Sequence, residues 1–269
     1  MERYGAVRMN GDGRGESLES QVAPTEESCR WIVMPEAEQR EAAVRLHLGC
    51  GQRYLDGYVN IDLPQSAHIV PVRREPDRYA DIADLRFEKS TVDEIRLHHV
   101  FEHFARPQAC ALLVAWRSWL KPGGTLRIEV PDFNRTTLAM LNPASGLRGE
   151  CVGARHLFGS NEAPWAIHLE GWTTRRLSLI LRTLGYRVMG VRHNHWRRTY
   201  NLEAFAERLN EDLCDDEAKG RVQAFLALFL VDHSPSESAI LQVWLGEYER
   251  QLARCAAPTT AATGDSSGG

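Results

Sequence analysis

The feature that most constrains this chain is a two-glycine turn between two short apolar runs. Leu46-His47-Leu48 leads into Gly49-Cys50-Gly51, and Tyr58-Val59-Asn60-Ile61 ends in Asp62. Glycine lets a backbone turn sharply and pass close to a ligand, because no Cβ stands in the way. A carboxylate closing the next strand can accept both hydroxyls of a ribose. Together they point to a nucleoside-containing cofactor on an α/β sheet. The dinucleotide fingerprint Gly-x-Gly-x-x-Gly requires a third glycine where this chain has Tyr54. Only ten residues separate Gly51 from Asp62. That is too few for a strand and a full-length helix whose N-terminus would hold a pyrophosphate. NAD is therefore disfavoured.

Further along, Tyr79-Ala-Asp-Ile-Ala-Asp-Leu-Arg-Phe87 precedes Thr91-Val-Asp-Glu-Ile-Arg-Leu-His-His-Val-Phe-Glu-His-Phe104. A helical stretch then runs into Leu120-Lys-Pro-Gly-Gly-Thr-Leu-Arg-Ile-Glu-Val-Pro-Asp132. With the glycine turn, this set resembles the class I S-adenosylmethionine-dependent methyltransferases, in their small-molecule, type 11-like branch, over about residues 44–206. The resemblance implies a Rossmann-like methyltransferase fold: an α/β, doubly wound, seven-stranded, mostly parallel sheet, with its final strand antiparallel. It implies S-adenosylmethionine as cofactor. It places Gly49, Cys50 and Gly51 against the methionine part, with His98 nearby. Asp62 and Leu63 fall at the ribose, and Asp81 and Ile82 at the adenine; Asp84 is the alternative to Asp81. The chain departs from the family pattern at His47, where an acid is usual, and at Arg53, where the extended loop has a glycine.

The alternation of the chain predicts strands at 45–49, 58–62, 78–82, 94–98, 125–130, 185–192 and 197–206. Helices are predicted at 107–120, from Thr173 or Thr174 to Leu184, at 215–231, and from a capping box at Ser234-Pro235-Ser236-Glu237. The expected domains are a disordered segment at 1–28, a methyltransferase domain at 29–210 with a lid or insertion at 134–172, a helical extension at 211–255, and a disordered tail at 256–269. The two C-terminal helices are expected to pack on the core, with a homodimer contact or a lid as the sharper alternative.

A net charge of −4 gives no global reason to bind nucleic acid. The cluster Arg192, His193, His195, Arg197 and Arg198 reads as a solvated strand edge. The longest apolar run, Ala224–Val231, is far short of the roughly 20 residues needed to span a membrane. Six scattered cysteines form no Cys-x-x-Cys pair and fit a reducing cytoplasm.

Methyl transfer is an in-line displacement, so it depends on proximity and orientation, and on a base where the nucleophile carries a proton. His99, His156 and His168 are the candidate bases, the latter two in the aromatic-rich insertion. His99-Val-Phe-Glu102-His103 also matches the inverted zinc-protease signature. It follows an apolar strand rather than lying in a helix, so no metal is expected. The leading reading is methyl transfer to an oxygen or nitrogen of a small molecule, a sugar or secondary metabolite. The alternatives are a cofactor-fold binding protein without catalysis and, further back, an NAD-dependent oxidoreductase.

Overall fold

Seven strands form one sheet in the order β3-β2-β1-β4-β5-β7-β6. A computed structural model describes residues 43–67 and 73–256. The strands are β1 (Arg45–Leu48), β2 (Val59–Asp62), β3 (Arg78–Tyr79), β4 (Val92–His98), β5 (Leu120–Pro131), β6 (Tyr186–Trp196) and β7 (Thr199–Arg208). The helices are α1 (Arg106–Trp119), α2 (Phe133–Leu141), α3 (Gly146–Phe158), α4 (Thr174–Thr183), α5 (Asp215–Ala227) and α6 (Pro235–Ala256). β1 through β5 pair in parallel, while β7 is antiparallel to both β5 and β6. The expected fold class and the antiparallel last strand are both present. The expected disorder at 1–28 and in the tail lies outside the described residues, except Ala256, which ends α6.

The central strands are apolar runs because both faces of a parallel sheet are covered. Leu46, Leu48, Ile61, Ile95, Leu97, Ile128 and Val130 are fully buried. The chain leaves β1 for β2 and β3, then returns to lay β4 on the other side of β1. Open α/β sheets bind ligands at such a reversal, beyond the carboxyl ends of the strands.

Several elements differ from the sequence expectation. β3 stops at Tyr79, because Asp81 caps a short 3-10 turn at Ile82–Asp84 by accepting from the Ala83 N–H. Helix α1 ends at Trp119 and β5 starts at once, with Leu120 opposite Val92 and Thr125 opposite Glu94. Lys121-Pro-Gly-Gly124 is thus a bulge within the strand rather than a stop before it. The insertion contains two helices, α2 and α3. Asp132 caps α2 by accepting from the Arg135 N–H.

The C-terminal helices share the main core. Val222, Phe225 and Leu226 of α5 and Leu245, Tyr248 and Cys255 of α6 belong to the same buried cluster as the sheet. The capping box is half formed. The Glu237 N–H donates to Ser234 Oγ at 3.4 Å, but the Glu237 carboxylate accepts from Val231 N, and Ser234 N donates to Asp232. No described helix is long and apolar enough to cross a membrane.

Candidate active site

The carboxyl ends of β1, β2 and β4 open onto a cavity of about 520 Å³. Its wall includes Gly49, Cys50, Gly51, Asp62 and Leu63, together with Asp81, Ile82 and His98. Every residue assigned to the cofactor from the sequence therefore lies on one surface. Gly49 (φ +69°) must be glycine twice over, since a Cβ there would run into Val100. Gly51 (φ +51°) has open space where a Cβ would stand. The Asp62 carboxylate accepts from Gly51 N and, at 2.7 Å, from Leu63 N. These bonds fix both the turn and the orientation of the acid. Burial, with the Asp62 charge beside it, pushes the Cys50 thiol up to about 12, so it is no thiolate nucleophile.

The structure separates Asp81 from Asp84 by position. Asp81 lies on the cavity wall, whereas Asp84 is engaged by Arg254 at 2.6 Å. Arg254 and Gln108 belong to the same wall. Gln251 of α6 donates to the Ala83 carbonyl at 2.8 Å and accepts from Gln108. The last helix thus supports this side of the cavity.

His47 is completely buried and forms part of a hydrogen-bonded chain. Arg96 Nε lies 3.0 Å from His98 Nε2, His98 Nδ1 lies 3.0 Å from His47 Nε2, and His47 Nδ1 lies 3.1 Å from Asn60 Oδ1. A guanidinium only donates, so His98 carries its proton on Nδ1 and directs it towards His47. His47 must then donate to Asn60, whose amide nitrogen donates onward to the Leu55 carbonyl and Asp77. Both imidazoles are neutral in this arrangement. Burial, assisted by the charges of Arg96 and Arg53, pushes His47 down to about 4 and His98 down to about 3. The departure at position 47 is therefore an internal strut beneath the glycine turn.

A second cavity, of about 500 Å³, adjoins the first and shares Arg53 and His99 with it. Its other walls are Glu129 from β5 and Asn194, His195, Trp196, Thr199 and Asn201 from the β6–β7 hairpin. The sequence alone does not point to this surface. There the basic cluster at 192–198 reads as a solvated edge, and only the pairing of β6 with β7 brings part of it to the site.

His99 stands at the junction in a left-handed backbone conformation (φ +53°), uncommon for a residue with a side chain. Its N–H donates to the Glu129 carbonyl. Its ring lies between two carboxylates, 3.2 Å from Glu102 and 3.4 Å from Glu129. Burial opposes a charge on the ring, but these two partners outweigh it and hold the pKa up to about 9. The hydrogen bond from His99 in turn holds Glu129 down to about 2.

The other two candidate bases stand beside this junction. The His156 ring centre is 5.9 Å from that of His99, and its Nε2 donates to the Tyr200 carbonyl at 2.9 Å. His168 Nε2 is 3.9 Å from Glu102. Burial lowers the pKa of both. Neither belongs to the walls of the two cavities.

No protein-family model matches the chain, and no curated protein matches it in sequence. Solved structures resemble it in three dimensions at low sequence identity. One is a SAM-dependent methyltransferase from Methanosarcina mazei, 15% identical, covering 64% of this chain and 95% of its own, with a TM-score of 0.44. Another, from Mesorhizobium loti, is 14% identical over 62% of this chain and 91% of its own, with a TM-score of 0.43. A third is a Burkholderia thailandensis 1,6-didemethyltoxoflavin-N1-methyltransferase with bound 1,6-didemethyltoxoflavin and S-adenosylhomocysteine. It is 14% identical over 62% of this chain and 72% of its own, with a TM-score of 0.41. These are likenesses of fold. The strand order, with β7 antiparallel between β5 and β6, makes the fold the Rossmann-like one of class I methyltransferases.

Proposed function

We propose that this protein transfers a methyl group from S-adenosylmethionine to an oxygen or nitrogen of a polar small molecule, a sugar or secondary metabolite. The observation that carries the reading is the meeting of two cavities at Arg53 and His99. One has the features a nucleoside needs: a close-approach turn at Gly49–Gly51 and an oriented acid at Asp62. The other is lined by hydrogen-bonding side chains and one indole, which suits a polar acceptor.

The cofactor supplies an electrophilic methyl group on a sulfonium. In this reading, Asp62 holds the ribose hydroxyls and Asp81 the adenine amino group, with Ile82 against the ring. The main chain at Gly49–Gly51 and the His98 edge border the methionine part. Arg53 and His99 position the acceptor from the shared wall, while Asn194 and Asn201 offer it further hydrogen bonds. Bringing the two reactants together supplies most of the acceleration such a displacement needs.

Calorimetry tests the cofactor. S-adenosylmethionine and S-adenosylhomocysteine are expected to bind in the micromolar range or tighter, and NAD not at all. Saturable NAD binding without S-adenosylmethionine binding would overturn the assignment. Transfer itself is checked by release of S-adenosylhomocysteine across a panel of polar acceptors.

A further inference from the structure

The turn after β4 and the insertion packed on it bring together side chains whose meeting the methyl-transfer reading does not explain. Glu102, His103 and His168 each bring one donor atom to a common point, all within 4.8 Å of one another. Glu102 is 1% exposed, and its Oε2 has no hydrogen-bond partner among the described residues. The same is true of Nδ1 of His168, whose side chain is 11% exposed. A buried carboxylate oxygen and a buried imidazole nitrogen are costly to leave unmatched.

The tautomer of His103 fits the same picture. Its Nδ1 lies 3.1 Å from the Ile167 carbonyl, so that nitrogen must donate, and in the neutral ring Nε2 then carries the lone pair. An outer hydrogen bond of this kind is how metal-binding histidines are held in one orientation. The backbone around the cluster is also fixed. Leu169 N and Glu170 N both donate to the Glu102 carbonyl, and His168 N donates to the Phe158 carbonyl. The turn and the insertion are therefore stitched together beside the cluster.

The geometry points to a divalent transition-metal site formed by Glu102, His103 and His168. Two imidazoles and one carboxylate suit Zn²⁺ and its neighbours and disfavour Mg²⁺ and Ca²⁺, which prefer oxygen. With metal–ligand bonds of about 2.0–2.2 Å, the three donors would draw in around the ion from their present spacing of up to 4.8 Å. His99 is not a ligand here, because it is committed to Glu102 Oε1 and Glu129. The site departs from the sequence expectation that no metal binds. Its ligand set also differs from that of the zinc-protease signature: the neighbours Glu102 and His103 join a distant His168, and the motif occupies a 3-10 turn. His103 also lines the first cavity, so the ion would sit at its edge.

The test uses the full chain, stripped with chelator and titrated with ZnCl₂ and, separately, with MgCl₂ by calorimetry. It is independent of cofactor binding and of any acceptor. The expected result is one Zn²⁺ per chain and no Mg²⁺ binding. Glu102→Gln and His168→Asn should each weaken Zn²⁺ at least about tenfold, the loss expected even for a partner outside the ligand set. His233→Asn, at an exposed position outside the cluster, should leave it unchanged. His103→Asn carries the same prediction as the ligand variants if either buried one fails to fold. Absence of stoichiometric Zn²⁺ would overturn the proposal. So would unchanged affinity in the ligand variants, which would assign the ion to thiols or histidines elsewhere.

Discussion

Asp62 orients the glycine turn through Gly51 N and presents its carboxylate to the cavity. Asp62→Ala is expected to weaken S-adenosylmethionine by about 1.5–3 kcal/mol, the range for a hydrogen bond to a charged group. Calorimetry on the folded variant measures this, and an unchanged dissociation constant would remove Asp62 from the ribose. Gly49→Ala is expected to lower stability, since it forces a side chain into Val100 at positive φ. Chemical denaturation would register that as a lower midpoint. These positions are legible in the sequence because glycine and a strand-end acid leave a spacing pattern. Glu129 is not, because it is one more polar residue in an apolar strand, and only register with β4 places it opposite His98. His47 is legible as a departure but not as a strut, since its partners Asn60 and His98 come from two neighbouring strands.

Among the elements, the β6–β7 hairpin carries the acceptor side of the proposed site. Its tip, Trp196–Thr199, brings an indole to the second cavity, and the paired Asn194 and Asn201 stand just behind it. Trp196→Ala is expected to raise the acceptor KM several-fold while leaving the S-adenosylmethionine dissociation constant unchanged. Steady-state kinetics with calorimetry separates the two effects, and equal losses in both would move the hairpin out of the acceptor site. The strands themselves are readable from alternation, but their lengths are not. A hairpin extends as far as its partner continues, so β6 runs to Trp196 rather than stopping at residue 192. The first helix of the insertion escapes detection because it buries little: Thr136 is the one buried residue of α2, and Leu138 and Leu141 are exposed.

Across the whole molecule, the buried neutral imidazoles make stability depend on pH. His47 and His98 resist protonation in the fold, while the unfolded chain takes up protons near pH 6.5. The unfolded state therefore binds more protons below that pH, and stability falls as pH is lowered through 6.5 towards about 4. The total loss is expected to be on the order of a few kcal/mol. His99 acts in a separate window: its raised pKa adds stability as pH falls from about 9 to 6.5, and that contribution is complete below 6.5. Denaturant midpoints should therefore decline steadily as pH is lowered from 6.5, and a flat profile would show that the two rings are not buried neutral. At this scale the alternation of strands and helices makes the α/β class legible, whereas the antiparallel last strand is readable only through the family resemblance. The reach of α6 is not readable at all. Arg254 and Gln251 brace the Ile82–Asp84 turn from a point some 170 positions away along the chain. On the ribosome, α6 emerges well after the sheet. At about 5–20 residues per second, a chain with its strands already made waits roughly 2–10 s before that helix is complete. During that interval the glycine turn of the nascent protein faces a cavity with one wall still unbuilt, so synthesis itself sets the moment at which that cavity is first complete.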